Sequence, residues 1–170
     1  INAQETVRQQ LQFWHGTLEQ MMSDCGPEHL GKNVPGSTAN SIAATYAHSV
    51  LSEDAMVHGM FQGKPTLFQT GGWAQKTGVT PPGGLMQTAE WGRSVTLTPA
   101  FTEYAQTVYA ASDAYLAALA DAELERKVQG PIGETTLGWA IALLLGTHTT
   151  EHAGEIAAMK GVLGLKGLPY

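Results

Sequence analysis

The stretch QGKPTLFQTGGWAQKTGVTPPGGLMQTAEWGRSVTLT, Gln62 to Thr98, interrupts a chain otherwise patterned as helix. Its seven Gly and three Pro exclude one continuous helix or strand. At about 37 residues it is long for a connection inside a compact domain. Trp73 and Trp91 inside it favour a packed segment with short helical turns over a disordered one.

Upstream, a helix capped at Thr38 or Asn40 runs to about Phe61 through Ile42, Tyr46, Ala47, Val50, Leu51 and Val57. Before it, Cys25 to Ser37 reads as a Gly/Pro loop. Helix 1 spans about Glu5 to Ser23, with a stripe of Val7, Leu11, Trp14, Leu18 and Met21. Downstream, Thr98-Pro99 restarts the chain as a cap residue followed by Pro at the first helical position. The third helix carries Phe101, Tyr104, Val108, Tyr115 and Leu119. A charged connection, Asp121 to Gly133, leads to a fourth helix from about Glu134, ended by Gly161, Gly164 and Gly167. Four amphipathic helices without a strand pattern predict an all-α four-helix bundle, with residues 1–170 as one domain. The long crossover lets helices 2 and 3 run parallel, and helix 4 then runs antiparallel to helix 2.

Helix 4 contains Thr147-His148-Thr149-Thr150-Glu151-His152-Ala153-Gly154-Glu155-Ile156. Four residues of helix turn the chain by about 400°, so His148 and His152 stack on one face. Ile141, Leu145, Ile156, Met159 and Leu163 share that face. Imidazoles aimed into a core need partners, either neighbouring carbonyls and carboxylates or a metal ion. His48 lies about eight residues into helix 2, level with the His pair if the two helices are antiparallel, with Ala44, Thr45 and Ala55 leaving room beside it. Three His ligands with a free coordination position make an open, catalytic type of site.

A net charge of −6, a pI near 5.4 and the lack of any Lys/Arg cluster argue against nucleic acid or anionic membrane as partner. The longest apolar run is far below the roughly 20 residues of a membrane span. Cys25 is the single cysteine, which excludes an intrachain disulfide and fits a reducing cytoplasm. The chain opens on Ile1-Asn2-Ala3 without Met or an apolar signal segment, which leaves upstream targeting open.

Asn40-Ser41-Ile42 leading to His48, Glu53-Asp54 after it, His148-x-x-x-His152-x-Gly154-x-Ile156 and the closing Gly164-Leu165-Lys166-Gly167-Leu168-Pro169 together resemble the DinB-like superfamily of bacterial four-helix proteins, over nearly the whole chain. The resemblance implies an up-down-down-up bundle and a metal triad at His48, His148 and His152. It also implies a homodimer and chemistry on a small-molecule substrate with a low-molecular-weight thiol such as mycothiol, bacillithiol or glutathione. The leading expectation is a metal-dependent thiol S-transferase acting on small electrophiles. A metal-dependent hydrolase and a non-catalytic small-molecule or metal binder are the alternatives. Imidazole ligands suit Zn or Ni, with Mn or Fe as further candidates. Glu155 stands where members often have Gln.

Glu155 is the candidate catalytic carboxylate, as holder of a ligand His or as general base; a solvated helix-face Glu is the plain alternative. Glu53 and Asp54 read as polar support or helix pairing, His58 is rotated about 80° from His48, and His29 lies in a loop. His15 is a candidate for the pocket wall, and Cys25 is set aside as a ligand. Trp14 and Trp139 read as core. The Glu-x-x-His pairs of a di-iron bundle are missing, as is HExxH, and Gly83-Gly84 reads as a turn rather than a phosphate loop.

Overall fold

A computed structural model describes residues 2–34, 36–83 and 88–170. The protein is 68% helix and 5% strand, an all-α fold in broad terms. No helix among the described residues is long and apolar enough to cross a membrane.

Helix α1, Ala3–Ser23, begins where the Asn2 side chain accepts from the Glu5 amide. Leu11, Leu18 and Met21 of its stripe are buried, while Val7 and Trp14 are half-buried. A short helix, α2 (Pro27–Leu30), forms within the predicted loop. Helix α3, Ile42–Asp54, is capped by Ser41 rather than by Thr38 or Asn40, its Oγ accepting from Ala44 N at 3.2 Å. Every residue of α3 except Ser52 is buried, so this helix is the centre of the molecule. It continues as π-helical turns over Ala55–Met60.

The described parts of the Gln62–Thr98 segment, residues 62–83 and 88–98, pack over α3 and the third long helix. They form α4 (Leu67–Thr70), α5 (Trp73–Thr77) and α6 (Ala89–Ser94). Asp54, fully buried, pins the segment: its carboxylate accepts from Leu67 N and Phe68 N, both at 2.9 Å, and from Tyr104 Oη at 2.7 Å. Thr66 and Gln69 close a capping box on α4. Trp91 donates Nε1–H to Thr80 O at 2.6 Å. Gly92 sits so close to the chain entering α3 that a Cβ there would strike the Asn40 side chain. Gly71-Gly72 turns through a positive φ of 66° at Gly72. Of the Gly83-Gly84 turn, Gly84 lies outside the described residues.

Helix α7, Pro99–Ala118, starts as predicted, with Thr98 extended but making no side-chain cap. The 121–133 connection departs from expectation. After a 3₁₀ turn, Asp121–Glu125, β1 (Lys127–Gly130) pairs antiparallel with β2 (Gly133–Thr136). Four-residue strands are too short to show alternation, and only Val128 is buried. The last helical region therefore begins at Leu137 rather than near Glu134, with Thr136 as its cap. It comprises α8 (Leu137–Trp139), π-helical turns over Ala140–Thr147, and α9 (His148–Val162). Gly164, at φ 84°, ends it.

Gln4 and Arg8 of α1 bond Leu116 O and Asp113 of α7. His15 and Glu19 meet Glu53 and Tyr46 of α3. Buried Lys160 of α9 donates to Met21 O and Asp24. The buried apolar residues form two clusters, one including Tyr46, Val50, Phe101 and Ile156, the other Leu11, Val57, Leu116 and Leu145. Along each long helical region the change from one cluster to the other falls at polar residues: His15 on α1, Glu53 and Asp54 on α3, Ser112 on α7, and His148 to His152 on α9.

Candidate metal centre

Helix α3 carries His48 and helix α9 carries His148 and His152, and the two helices pack side by side. His48 and His152 are buried and His148 is half-buried. His148 Nε2 lies 3.1 Å from His48 Nε2 and 3.1 Å from His152 Nε2. The rings approach edge-on or tilted, with interplanar angles of 52°, 90° and 87°, so their nitrogens, not their faces, converge. These three residues could hold one metal ion. Zn–N bonds of 2.0–2.1 Å in a tetrahedron set ligand nitrogens about 3.3 Å apart, close to the spacing seen here.

Hydrogen bonding alone does not satisfy this cluster. His152 Nδ1 lies 2.7 Å from Glu155 Oε2, which places its proton on Nδ1 and leaves a lone pair on Nε2. His148 Nε2 faces two ring nitrogens and can satisfy only one of them with a single proton or a single lone pair. His48 Nδ1 and His148 Nδ1 are buried without a partner among the described residues. A cation accepts all three lone pairs together, so the donor set fits a metal. Burial, with a smaller contribution from the charge of His152, lowers the pKa of His48 to about 4. Burial, then His152 and His48, lower that of His148 to about 3. Both rings are held in the neutral form that binds metal.

These shifts predict how the metal-free protein responds to acid. In the unfolded chain both rings titrate near 6.5. Between that value and the folded values of about 4 and about 3, the unfolded chain binds more protons. Their contribution to stability is therefore complete above pH 6.5 and is lost progressively as pH falls through about 4 for His48 and about 3 for His148. Melting of the chelator-treated protein should drop by several degrees across this window, less so in His148→Ala. A flat profile in both proteins would contradict the burial argument.

Glu155 does not border the cavity at the triad; it holds the His152 ring. A carboxylate that fixes a ligand ring is typically worth ten- to a hundredfold in metal affinity. Glu155→Ala should weaken binding by that amount in a competitive chelator titration. Glu155→Gln, whose amide oxygen can still accept from Nδ1, should lose less.

The other candidates lie elsewhere. His15 stacks on Tyr109 and meets Glu53 at 2.9 Å, a pairing of α1 with α3 rather than part of the pocket wall. Asp54 anchors the 62–98 segment, and His58 Nδ1 lies 2.9 Å from its Oδ1. Cys25 Sγ donates to Met21 O at the end of α1, and His29 sits beside Glu28. Trp139 is 36% exposed, so it is not core. Trp91 approaches His48 edge-on at 6.4 Å.

The triad opens onto a cavity of about 680 Å³, within the range that takes a small organic ligand. Its wall includes Leu51, Met56, Met60, Phe68, Leu144 and Glu151. Glu151 was not singled out from sequence, although its place three residues after His148 puts it within about 60° of that ring.

No curated protein matches the sequence. A conserved protein from Enterococcus faecalis, known from its crystal structure, shares the fold, with a TM-score of 0.81 at 14% identity over 96% of this chain and 99% of that one. The family model described as the DinB superfamily matches residues 10–156, most of the sequence and all three histidines. The chain belongs to the DinB superfamily.

Proposed function

We propose that this protein is a metal-dependent enzyme that activates a small thiol, or water, against a small-molecule substrate at the His48, His148 and His152 centre. The observation that carries this reading is the convergence of three Nε2 atoms beside a ligand-sized, largely apolar cavity. A bound divalent cation, Zn or Ni in the first instance, supplies Lewis acidity that makes a thiol or water more acidic near neutral pH. The chain's own residues do the rest. His48, His148 and His152 would hold the ion, Glu155 fixes the His152 ring, and the apolar wall limits water around the reacting groups. The choice of a thiol S-transferase over a hydrolase follows from the family resemblance.

The same proposal takes the chain as a single four-helix, up-down-down-up unit. Two sets of pairings support it. Residues 4, 8 and 15 of α1 meet 116, 113 and 109 of α7, and residues 15 and 19 of α1 meet 53 and 46 of α3, the order of opposed helices. Tyr46 and Asp54 of α3 meet Phe101 and Tyr104 of α7, the order of parallel ones.

The test is a panel of bacterial thiols with a chloro-nitroarene and the zinc- or nickel-loaded protein. Thiol-dependent loss of the arene should be accelerated and should vanish on chelation. Acceleration of ester or amide hydrolysis alone would make the protein a hydrolase. Tight ligand binding with neither activity would make it a binding protein.

A further inference from the structure

The cavity beside the triad is long, and its two ends differ. Along α3 and the turns that continue it, the wall runs from His48 through Leu51 and Met56 to Met60, a stretch on the order of 15 Å. Polar side chains flank the ligands at the first end. Ser52 lies about one turn from His48, and exposed Glu151 about one turn from His148. Further along, the polar groups of the wall are already engaged. Asp54 accepts from two amides and the Tyr104 hydroxyl, and Thr66 and Gln69 each accept from the other's amide. What a ligand meets there is mainly apolar, with Met56, Phe68, Met60, Leu144 and Pro131 on the wall. The hairpin backs this end. A Cβ added at Gly130 would stand 3.3 Å from Leu144 Cδ1 and 3.7 Å from Met60 Sδ, so both side chains converge on it. An apolar chain laid along this wall leaves water without stripping a polar group of its partner. Two flexible methionine thioethers adapt to its shape. A group that ligates an ion gains only at the triad.

We propose that the cavity takes an amphipathic molecule with one polar, metal-ligating end at His48, His148 and His152 and an alkyl chain extending to Met60 and Leu144. This deepens the proposed function and rests on it in taking the triad as the metal centre. The substrate class is then a medium-chain alkyl compound, either an alkyl thiol or an electrophile that carries such a chain. Met60 and Leu144 set how long a chain the site accepts.

Acetohydroxamate, pentanohydroxamate and octanohydroxamate test this, since they share one zinc-ligating head and differ only in chain length. Binding to the full, zinc-loaded chain is read by calorimetry, and the position of the chain by NMR of labelled methionine methyls. Affinity should rise roughly two- to fourfold for each added methylene. The Met60 methyl should shift with octanohydroxamate and not with acetohydroxamate. Met60→Trp, or Leu144→Trp at the same end, should abolish the gain from pentanohydroxamate to octanohydroxamate. Acetohydroxamate should stay within about twofold in these variants, which also reports an intact fold. A gain below about twofold per methylene, a silent Met60 methyl, or an unchanged length dependence in both tryptophan variants would each overturn the alkyl site. Failure of the proposed function reads differently. Zinc would then add nothing to acetohydroxamate binding, and the placement of the polar end would fall with the metal centre.

Discussion

Replacing His148 with alanine should take the purified protein from about one equivalent of divalent metal to essentially none. His148 Nε2 is the middle atom of the cluster, 3.1 Å from each of the other two, so its loss removes the donor that links His48 to His152. Removing a residue that merely supports a ligand already costs ten- to a hundredfold in affinity, and removing the central ligand should cost more than about a hundredfold. The substitution should not unfold the chain. His148 is half-buried inside a continuous helical region, alanine is the best helix former, and an unpartnered Nδ1 is removed with the ring. Elemental analysis beside far-ultraviolet circular dichroism checks both parts. Full metal occupancy in a folded His148→Ala protein would reject the triad.

The second large effect is expected at Asp54, away from the metal. Its fully buried carboxylate accepts from Leu67 N, Phe68 N and the Tyr104 hydroxyl. Asp54→Ala leaves these donors without a partner and opens space beneath α4, at a cost of about 3 kcal/mol. For a chain of this size that corresponds to a fall of roughly 6–12 °C in melting temperature. Because the lost bonds tie the 62–98 segment to α3, limited proteolysis should begin near Gly71-Gly72, where the unaltered protein should resist. Asp54→Asn keeps one acceptor oxygen and should fall between the two. A melting change under 2 °C with no new cleavage would show that the apolar contacts, such as Phe68 and Trp73 against Tyr104, suffice to hold the segment.

Much of this organisation is written in local sequence. Periodicity located the long helices because their buried faces repeat every three to four residues, and Thr98-Pro99 marked a start at the observed place. The i, i+4 spacing of His148 and His152 placed both rings on one face, since one helix sets that relation. The turns within Gln62–Thr98 were legible as a packed segment because two Trp residues are rarely left in water. The hairpin at 127–136 was not, since four-residue strands with one buried side chain carry no pattern. The π-helical turns at 55–60 and 140–147 escaped too, because the 100° step assumes uniform α geometry.

What the sequence determined by itself is therefore what neighbouring residues impose on one another: the helical segments, the pairing of His148 with His152, the excess of acid over base and the single cysteine. Tertiary structure decided what depends on distant segments meeting. His48 stands 100 residues from His148, and only the packing of α3 against α9 brings their nitrogens to 3.1 Å. Asp54 and the turn at Leu67, His15 and Glu53, and the cavity that gathers Glu151 with Phe68 and Leu144 are likewise contacts between separate elements. A side chain's partner across a helix interface depends on how two faces interlock, and no single helix carries that information.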